Sequence, residues 1–330
     1  MWNSNDELFA LIDDQAGGSI QTFKRRLKFK LRSFWFRREL DKLMHYIRDH
    51  QLNQLLQVDP SLYLKCTRSY LWTGLDSSQR VMLQLAFFDW LLTRFSTPDI
   101  RHFYTTPHIN ISTQTIKDQV IDVLIQPSRG LGREGELALT LNLNNQVIMK
   151  TSFTIVPSEM LGIGGSGYAM FVGGFQGQRD TREQVKEATQ LMERTKPNAI
   201  MLNALQGIAQ AWGLVAILGT SNATHAFSSY HRSLAKRVGL DYDSLWQELG
   251  AQEQTKFKHW LLPRTWQPRP ESEIESKKRS AYRKRNTFRQ NFIDLCIVGT
   301  IGLTNTQAHG EELVSPTHKS ASANPPSDLE

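Results

Sequence analysis

Residues 137–143 constrain this chain more than any other stretch: Leu137, Leu139, Leu141 and Leu143 alternate with Ala138, Thr140 and Asn142. A period of two places the leucines on one face of an extended strand, a spacing no helix satisfies. Asn144-Asn145 follows, a pair that tolerates the left-handed backbone of a two-residue hairpin turn. Val147, Met149, Phe153 and Ile155 carry the alternation back. The segment predicts an antiparallel hairpin of half-buried strands, and residues 117–125 read as a neighbouring strand.

The other apolar patterns surround this hairpin with helices. Leu214 to Leu218 is a continuous apolar run, the mark of a strand buried on both faces inside a sheet. Pro197 opens a helix before it, with Met201, Ala204, Leu205, Ile208 and Trp212 on one face and Gly213 at its end. A glycine-rich loop at 162–167 leads into a short strand from Tyr168 to Val172. Gly173 to Thr181 then turns into a helix carrying Val185, Ala188 and Met192. Near the start, Ser19 caps a helix running to about His50. Its stripe of Ile20, Phe23, Leu27, Leu31 and Phe34 continues with a small rotation through Leu40, Leu43 and Ile47. A second helix follows Asp76-Ser77 and runs to about Thr97-Pro98.

The expected fold is mixed α+β or α/β, a mainly antiparallel sheet flanked by helices. Four regions are expected: a helical, basic region 1–110, an α/β core 111–265, a basic helix 266–303 and a disordered tail 304–330, poor in large apolar groups.

Charge is unevenly placed. The net +7 of the 330 residues conceals two basic segments. Residues 24–48 hold ten Lys/Arg against Glu39 and Asp41, and residues 277–289 hold seven with no acid. The rest is mildly acidic, so these segments are the expected contact surfaces for anions. For the first helix, one reading is a core-facing stripe with a solvated basic back. Another is a helix lying among anionic headgroups, with Phe34, Trp35 and Phe36 beside arginines; a nucleic-acid surface is the third. The N-terminus lacks the basic and apolar regions of a signal peptide. The longest apolar stretch, Ile293 to Leu303, is shorter than the roughly 20 residues of a bilayer span. Cys66 and Cys296 form no disulfide framework and read as buried thiols. Together these features predict a cytoplasmic protein.

Several residues are candidates for chemistry. Gly173, Gly174 and Gly177 around Gln176 either cradle a phosphate with Arg179 as counter-charge or form a turn needing positive φ. His225 and His231 flank Tyr230 in the loop after a central strand, where ligand sites of open sheets gather; a catalytic base and a surface pair are both open. Asp241 and Asp243 are either paired carboxylates or a helix cap with an acidic first turn. Metalloprotease, NTPase and serine-hydrolase signatures are absent from the sequence.

Segments spread in order along the chain carry a resemblance. They are Arg133-Glu134-Gly135-Glu136-Leu137, Val172-Gly173-Gly174-Phe175-Gln176-Gly177, Lys196-Pro197-Asn198, Thr220-Ser221-Asn222-Ala223-Thr224-His225, Asp241-Tyr242-Asp243-Ser244-Leu245-Trp246 and Ser276-Lys277-Lys278-Arg279-Ser280-Ala281-Tyr282-Arg283. Over about residues 20–290 the chain resembles the VirK/YbjX family of bacterial proteins. That resemblance implies a link to virulence, envelope integrity and antimicrobial-peptide tolerance in Gram-negative bacteria.

Met201 to Arg232 is also similar to the latter half of the GNAT acyltransferase core, through Leu205–Trp212, Gly213, Leu214–Leu218, Asn222, Ala226 and Tyr230. This similarity implies an acyl-CoA whose pantetheine pairs with backbone between splayed strands, and whose pyrophosphate rests on a helix N-terminus. It implies Tyr230 as the acid for the leaving thiolate, with His225 beside it, and Gln176, Gly177, Arg179 and Asn222 as cofactor-binding residues. Two departures stand out. Gln176 to Arg179 precedes a different helix from the family's phosphate loop, and Pro197 removes an amide donor from the matching one. The implied function is acyl transfer at the inner membrane face, with the basic helices on anionic lipid. The alternative is a non-enzymatic protein that grips membrane, nucleic acid or a partner.

Overall fold

The computed structural model describes residues 27–28, 30–129, 132–228, 240–254 and 256–305. Ser19, Ile20, Phe23, Tyr230, His231 and nearly all of the tail expected at 304–330 lie outside them. The architecture is mixed α/β around one open, mostly antiparallel sheet of eight strands, ordered β1-β2-β3-β4-β5-β6-β8-β7.

Helices α1 (Arg37–Asp49), α2 (Asn53–Val58), α3 (Ser77–Leu92) and α4 (Thr97–Thr105) come first, with a 3₁₀ stretch at Pro60–Thr67. Asp76 and Gln79 start α3 with a reciprocal capping box, and Ser96 and Asp99 do the same for α4. The sequence reading ran α3 on to Thr97; Ser96 instead starts a separate helix.

Strands β1 (Ile109–Ile116) and β2 (Gln119–Pro127) form a hairpin about Lys117 and Asp118, both at positive φ. β3 (Leu137–Leu143) and β4 (Gln146–Pro157) form the predicted hairpin, with Asn144 and Asn145 at φ 49° and 65°. All seven residues of β3 are buried, Thr140 and Asn142 included, because both faces of the sheet are covered there. The alternation correctly predicted a strand; its expected half-burial is corrected to full burial.

β5 (Tyr168–Gly177) runs five residues past the predicted strand. Helix α5 (Arg182–Leu191), helix α6 (Pro197–Ala211) and strand β6 (Ala216–Gly219) follow, with Gly213 at φ 62° ending α6. β6 is buried throughout and pairs parallel with β5 and antiparallel with β8, so it is internal to the sheet as its apolar run implies. The chain closes with α7 (Tyr242–Glu248), β7 (Gln252–Gln254), β8 (His259–Leu262) and the long α8 (Arg279–Asn305).

Alternate residues of β5 and β6 feed two apolar clusters. Met170, Val172 and Ile217 join the larger one, which also receives the buried faces of α1, α3, α6 and α8. Ala169, Phe171, Ala216 and Leu218 join the smaller one with Tyr70, Leu71 and Trp72. Cys66 and Cys296 are buried free thiols, and burial pushes both up to about 12.

Candidate functional site

β5 and β6 pair only as far as Val172 and Gly219. Beyond that point β5 continues along β4 with its other edge uncovered by β6. The carboxyl end of a parallel pair is where open sheets place ligand sites, and a buried polar cluster is assembled there.

The segment 133–136 lies across this end of the sheet, with the Glu136 amide donating to the Phe153 carbonyl. Its close approach is why glycine stands at three positions. A Cβ on Gly135 would fall 2.5 Å from the Phe153 nitrogen, and one on Gly173 would fall 2.1 Å from the Glu134 carbonyl oxygen. A Cβ on Gly174 would meet the Glu134 carboxylate at 2.5 Å. Gly173, Gly174 and Gly177 sit in a strand without positive φ, which corrects the turn reading, and a Cβ on Gly177 would meet nothing within 4 Å. The sequence reading missed the third option, close backbone approach.

Glu134 and His225 are each 2% exposed, and His225 Nε2 lies 3.1 Å from Glu134 Oε1. The Phe227 amide donates to His225 Nδ1 at 3.3 Å. Nδ1 is thus an acceptor, which assigns the proton to Nε2 and makes the imidazole the donor to the carboxylate. The ring stacks on Tyr242 at 5.0 Å, and the Tyr242 hydroxyl accepts the Phe175 amide of the uncovered β5 edge at 3.1 Å. Burial and the nearby Glu134 charge push the Tyr242 phenol well up. Gln176 Nε2 lies 3.4 Å from both Glu134 oxygens.

A second buried carboxylate adjoins the first. Glu136 accepts from Lys65 Nζ at 2.5 Å and from the Tyr70 hydroxyl at 2.6 Å. Burial raises the Glu136 carboxyl above its ordinary value, against the lowering effect of Lys65.

The expected cofactor residues are distributed differently. Asn222 secures the start of α7: its Nδ2 donates to Asp241 at 2.7 Å and its Oδ1 accepts the Tyr242 amide at 2.8 Å. Asp241 caps that helix by accepting from the Ser244 amide, so the Asp-Tyr-Asp run is a cap. Arg179 is exposed in the β5–α5 turn beside Gly177. Both ring nitrogens of His225 are engaged, and Tyr230 lies outside the described residues. Of the groups expected in an acyl-CoA site, Asn222 and His225 are engaged within the chain, and the Phe175 amide on the uncovered β5 edge is bonded to Tyr242. Glu134, Glu136, Lys65 and Tyr242 were not singled out from the sequence. The legible signal was two acids about a glycine immediately before an apolar strand.

The two basic segments also differ. In 277–289, Arg283 pairs with Glu271, Lys277 and Lys278 pair with Glu275, and Arg285 donates to the Glu193 carbonyl. Arg289 bonds Asn203 and lies 4.5 Å over Trp266, and burial brings its guanidinium down to about 10. Much of this charge is therefore spent on holding the chain together. In the N-terminal segment, the described residues between 27 and 35 are helical and run into α1 through Phe36, which keeps the ladder by accepting from Leu40. Ser33, Leu40, Leu43 and Ile47 are buried, while Phe34 is 76% and Trp35 68% exposed. The six residues from Phe34 to Leu40 turn a helix through about 240°. The rotation read as small is therefore a change of face: Leu27, Leu31 and Phe34 of the first stripe look outward and the second stripe inward.

The chain matches the family described as Protein of unknown function (DUF535) over residues 18–293. The chain belongs to this family. It is the VirK/YbjX family of the sequence resemblance. One relative is Escherichia coli (strain K12) "Uncharacterized protein YbjX", 26% identical over 270 residues, 79% of this chain and 78% of that protein. Another is an "Uncharacterized protein" of Haemophilus influenzae (strain ATCC 51907 / DSM 11121 / KW20 / Rd), 28% identical over 156 residues, 46% of this chain and 48% of that protein. No solved structure matches significantly. Four of the segments that carry the VirK/YbjX resemblance meet at the Glu134 cluster: 133–137, 172–177, 220–225 and 241–246. Among the described residues no helix is long and apolar enough to cross a membrane, and none group as a metal site.

Proposed function

We propose that this VirK/YbjX-family chain acts at the surface of an anionic membrane, docking through the outward face of residues 27–42. The carrying observation is the exposure of Phe34 and Trp35 on a helix whose opposite face is buried. On a helical projection Leu27, Leu31, Phe34 and Trp35 share one sector of about 100°. Exposed Lys28 and half-buried Arg32 flank it on one side, and exposed Lys30 and Arg37 on the other, with Arg38 and Lys42 continuing the outer face. An apolar face between basic flanks is the arrangement of an interfacial helix. Aromatic area transferred from water contributes about 25 cal/mol per Å², and each cation near an anionic surface about 1 kcal/mol. The envelope and antimicrobial-peptide roles implied by the family resemblance fit a protein held at such a surface. They belong to this proposal; acyl transfer does not, because Asn222 and His225 among its expected residues are engaged in contacts within the chain.

The test is flotation with vesicles of phosphatidylglycerol and phosphatidylethanolamine against vesicles of phosphatidylcholine alone. Binding should need the anionic lipid, weaken with salt, and fall roughly tenfold in the Phe34→Ser/Trp35→Ser double variant, whose altered side chains are outside the core. Equal binding to both vesicle types, or no loss in the variant, refutes the proposal. Salt-sensitive binding to duplex DNA that ignores Phe34 and Trp35 would favour a nucleic-acid surface instead.

A further inference from the structure

A pocket of about 390 Å³ opens beside the smaller apolar cluster, walled by Trp72, Leu75, Met82, Leu83, Met160 and Phe257. The volume is that of a small-molecule site. Its polar contributors are Thr73, Gln79 and Thr224, and no Asp, Glu, Lys or Arg lines it among the described residues.

The wall is built at a cost. Leu71 stands at φ 57°, and the Trp72 amide donates back to the Tyr70 carbonyl at 2.7 Å. This two-residue closure about a left-handed centre has the form of the rare, strained γ-turn. A branched, buried residue is strained in that conformation. Neighbouring bonds hold it: Leu71 N–H to the Arg133 carbonyl, a bridge between Trp72 and His225, and Thr73 N–H to the Thr224 carbonyl. The strain places the Trp72 ring against Phe171 at 5.0 Å and in the pocket wall. Behind the wall, His259 is fully buried with its ring 5.0 Å from Trp72 and 6.0 Å from Phe257. Burial holds its imidazole down at about 4, so this layer too is uncharged at neutral pH.

From this geometry we infer that the pocket binds one acyl chain carrying an uncharged head, of the monoacylglycerol type. Thioethers adapt to irregular apolar shapes, and Met82 and Met160 let the walls follow a flexible chain. The Thr73 hydroxyl and the Nε2 of Gln79, whose Oε1 accepts the Asp76 amide, suit an ester, amide or hydroxyl. A carboxylate or phosphate would find no counter-charge among the described residues that line the pocket. This inference is independent of vesicle docking, since a monomeric ligand needs no membrane.

The experiment is calorimetry on the full chain with 1-decanoylglycerol, decanoate and indole, all below any aggregation threshold. Decanoylglycerol should bind saturably at one site, more tightly than either of the others. Met82→Glu and Met160→Glu, on exposed and half-buried positions, should each weaken it roughly tenfold or more while the urea midpoint stays put. Absence of saturable binding, or binding untouched by both variants, overturns the site. Equal affinity for decanoate overturns the uncharged head, and preference for indole overturns the acyl chain.

Discussion

Lys65→Met isolates the dependence of the buried Glu136 carboxylate on its ammonium partner. Lys65 is 4% exposed, Glu136 is sealed from solvent, and they meet at 2.5 Å. Without Lys65, the Tyr70 hydroxyl is the side-chain partner left to Glu136 among the described residues. An unpaired buried charge costs about 3–5 kcal/mol. The carboxyl escapes part of this by taking up a proton, at about 1.4 kcal/mol for each pH unit above its ordinary value of 4.5. The lesser cost prevails, so the variant should lose about 3 kcal/mol at pH 7 and under about 1 kcal/mol at pH 5. The sign follows from the raised folded-state value. Folded Glu136 holds its proton more tightly than the unfolded chain does, so its contribution is complete below 4.5 and lost as pH rises through the folded value. Urea unfolding of both proteins from pH 5 to 8 measures the gap. The Lys65→Met/Glu136→Gln double variant removes the titrating group and should recover most of the loss without pH dependence. A gap below about 1 kcal/mol at pH 7, or one that does not change with pH, refutes the reasoning.

Two further predictions concern the uncovered end of β5. Gly173→Ala forces a Cβ to within 2.1 Å of the Glu134 carbonyl oxygen and should cost about 3 kcal/mol or more in urea unfolding, whereas Gly177→Ala, with nothing within 4 Å, should be near neutral. Tyr242→Phe deprives the buried Phe175 amide of its acceptor; it should cost about 1–3 kcal/mol and speed hydrogen exchange at that amide selectively.

Local rules reached far along this chain. The strand character of 137–143, the Asn144-Asn145 turn, the strand within the apolar run at 214–218 and the Asp241 cap follow from their residue types, because each depends on neighbours a few positions away. The same holds for Pro197 and Gly213 at the two ends of α6. What local pattern could not convey was direction. The stripes at 27–35 and 40–47 look continuous in sequence, yet a helix rotates through more than half a turn between them. Only packing against α3 decides that Leu40, Leu43 and Ile47 are the inward set.

The candidate site was legible only as fragments. Gly173 and Gly174 announced that a side chain was not tolerated, but the reason, a segment 39 residues upstream lying on the strand, is a tertiary fact. Glu134 and His225 are 91 positions apart, and Lys65 and Glu136 are 71. The acids at 271 and 275 pair with three of the seven bases of the segment 277–289, from just outside it. Sequence thus determined the type of the main elements and several of their ends. Tertiary structure decided which charges are paired, which face is buried and which backbone groups remain open, because burial and Coulomb interaction act through distance in space rather than along the chain.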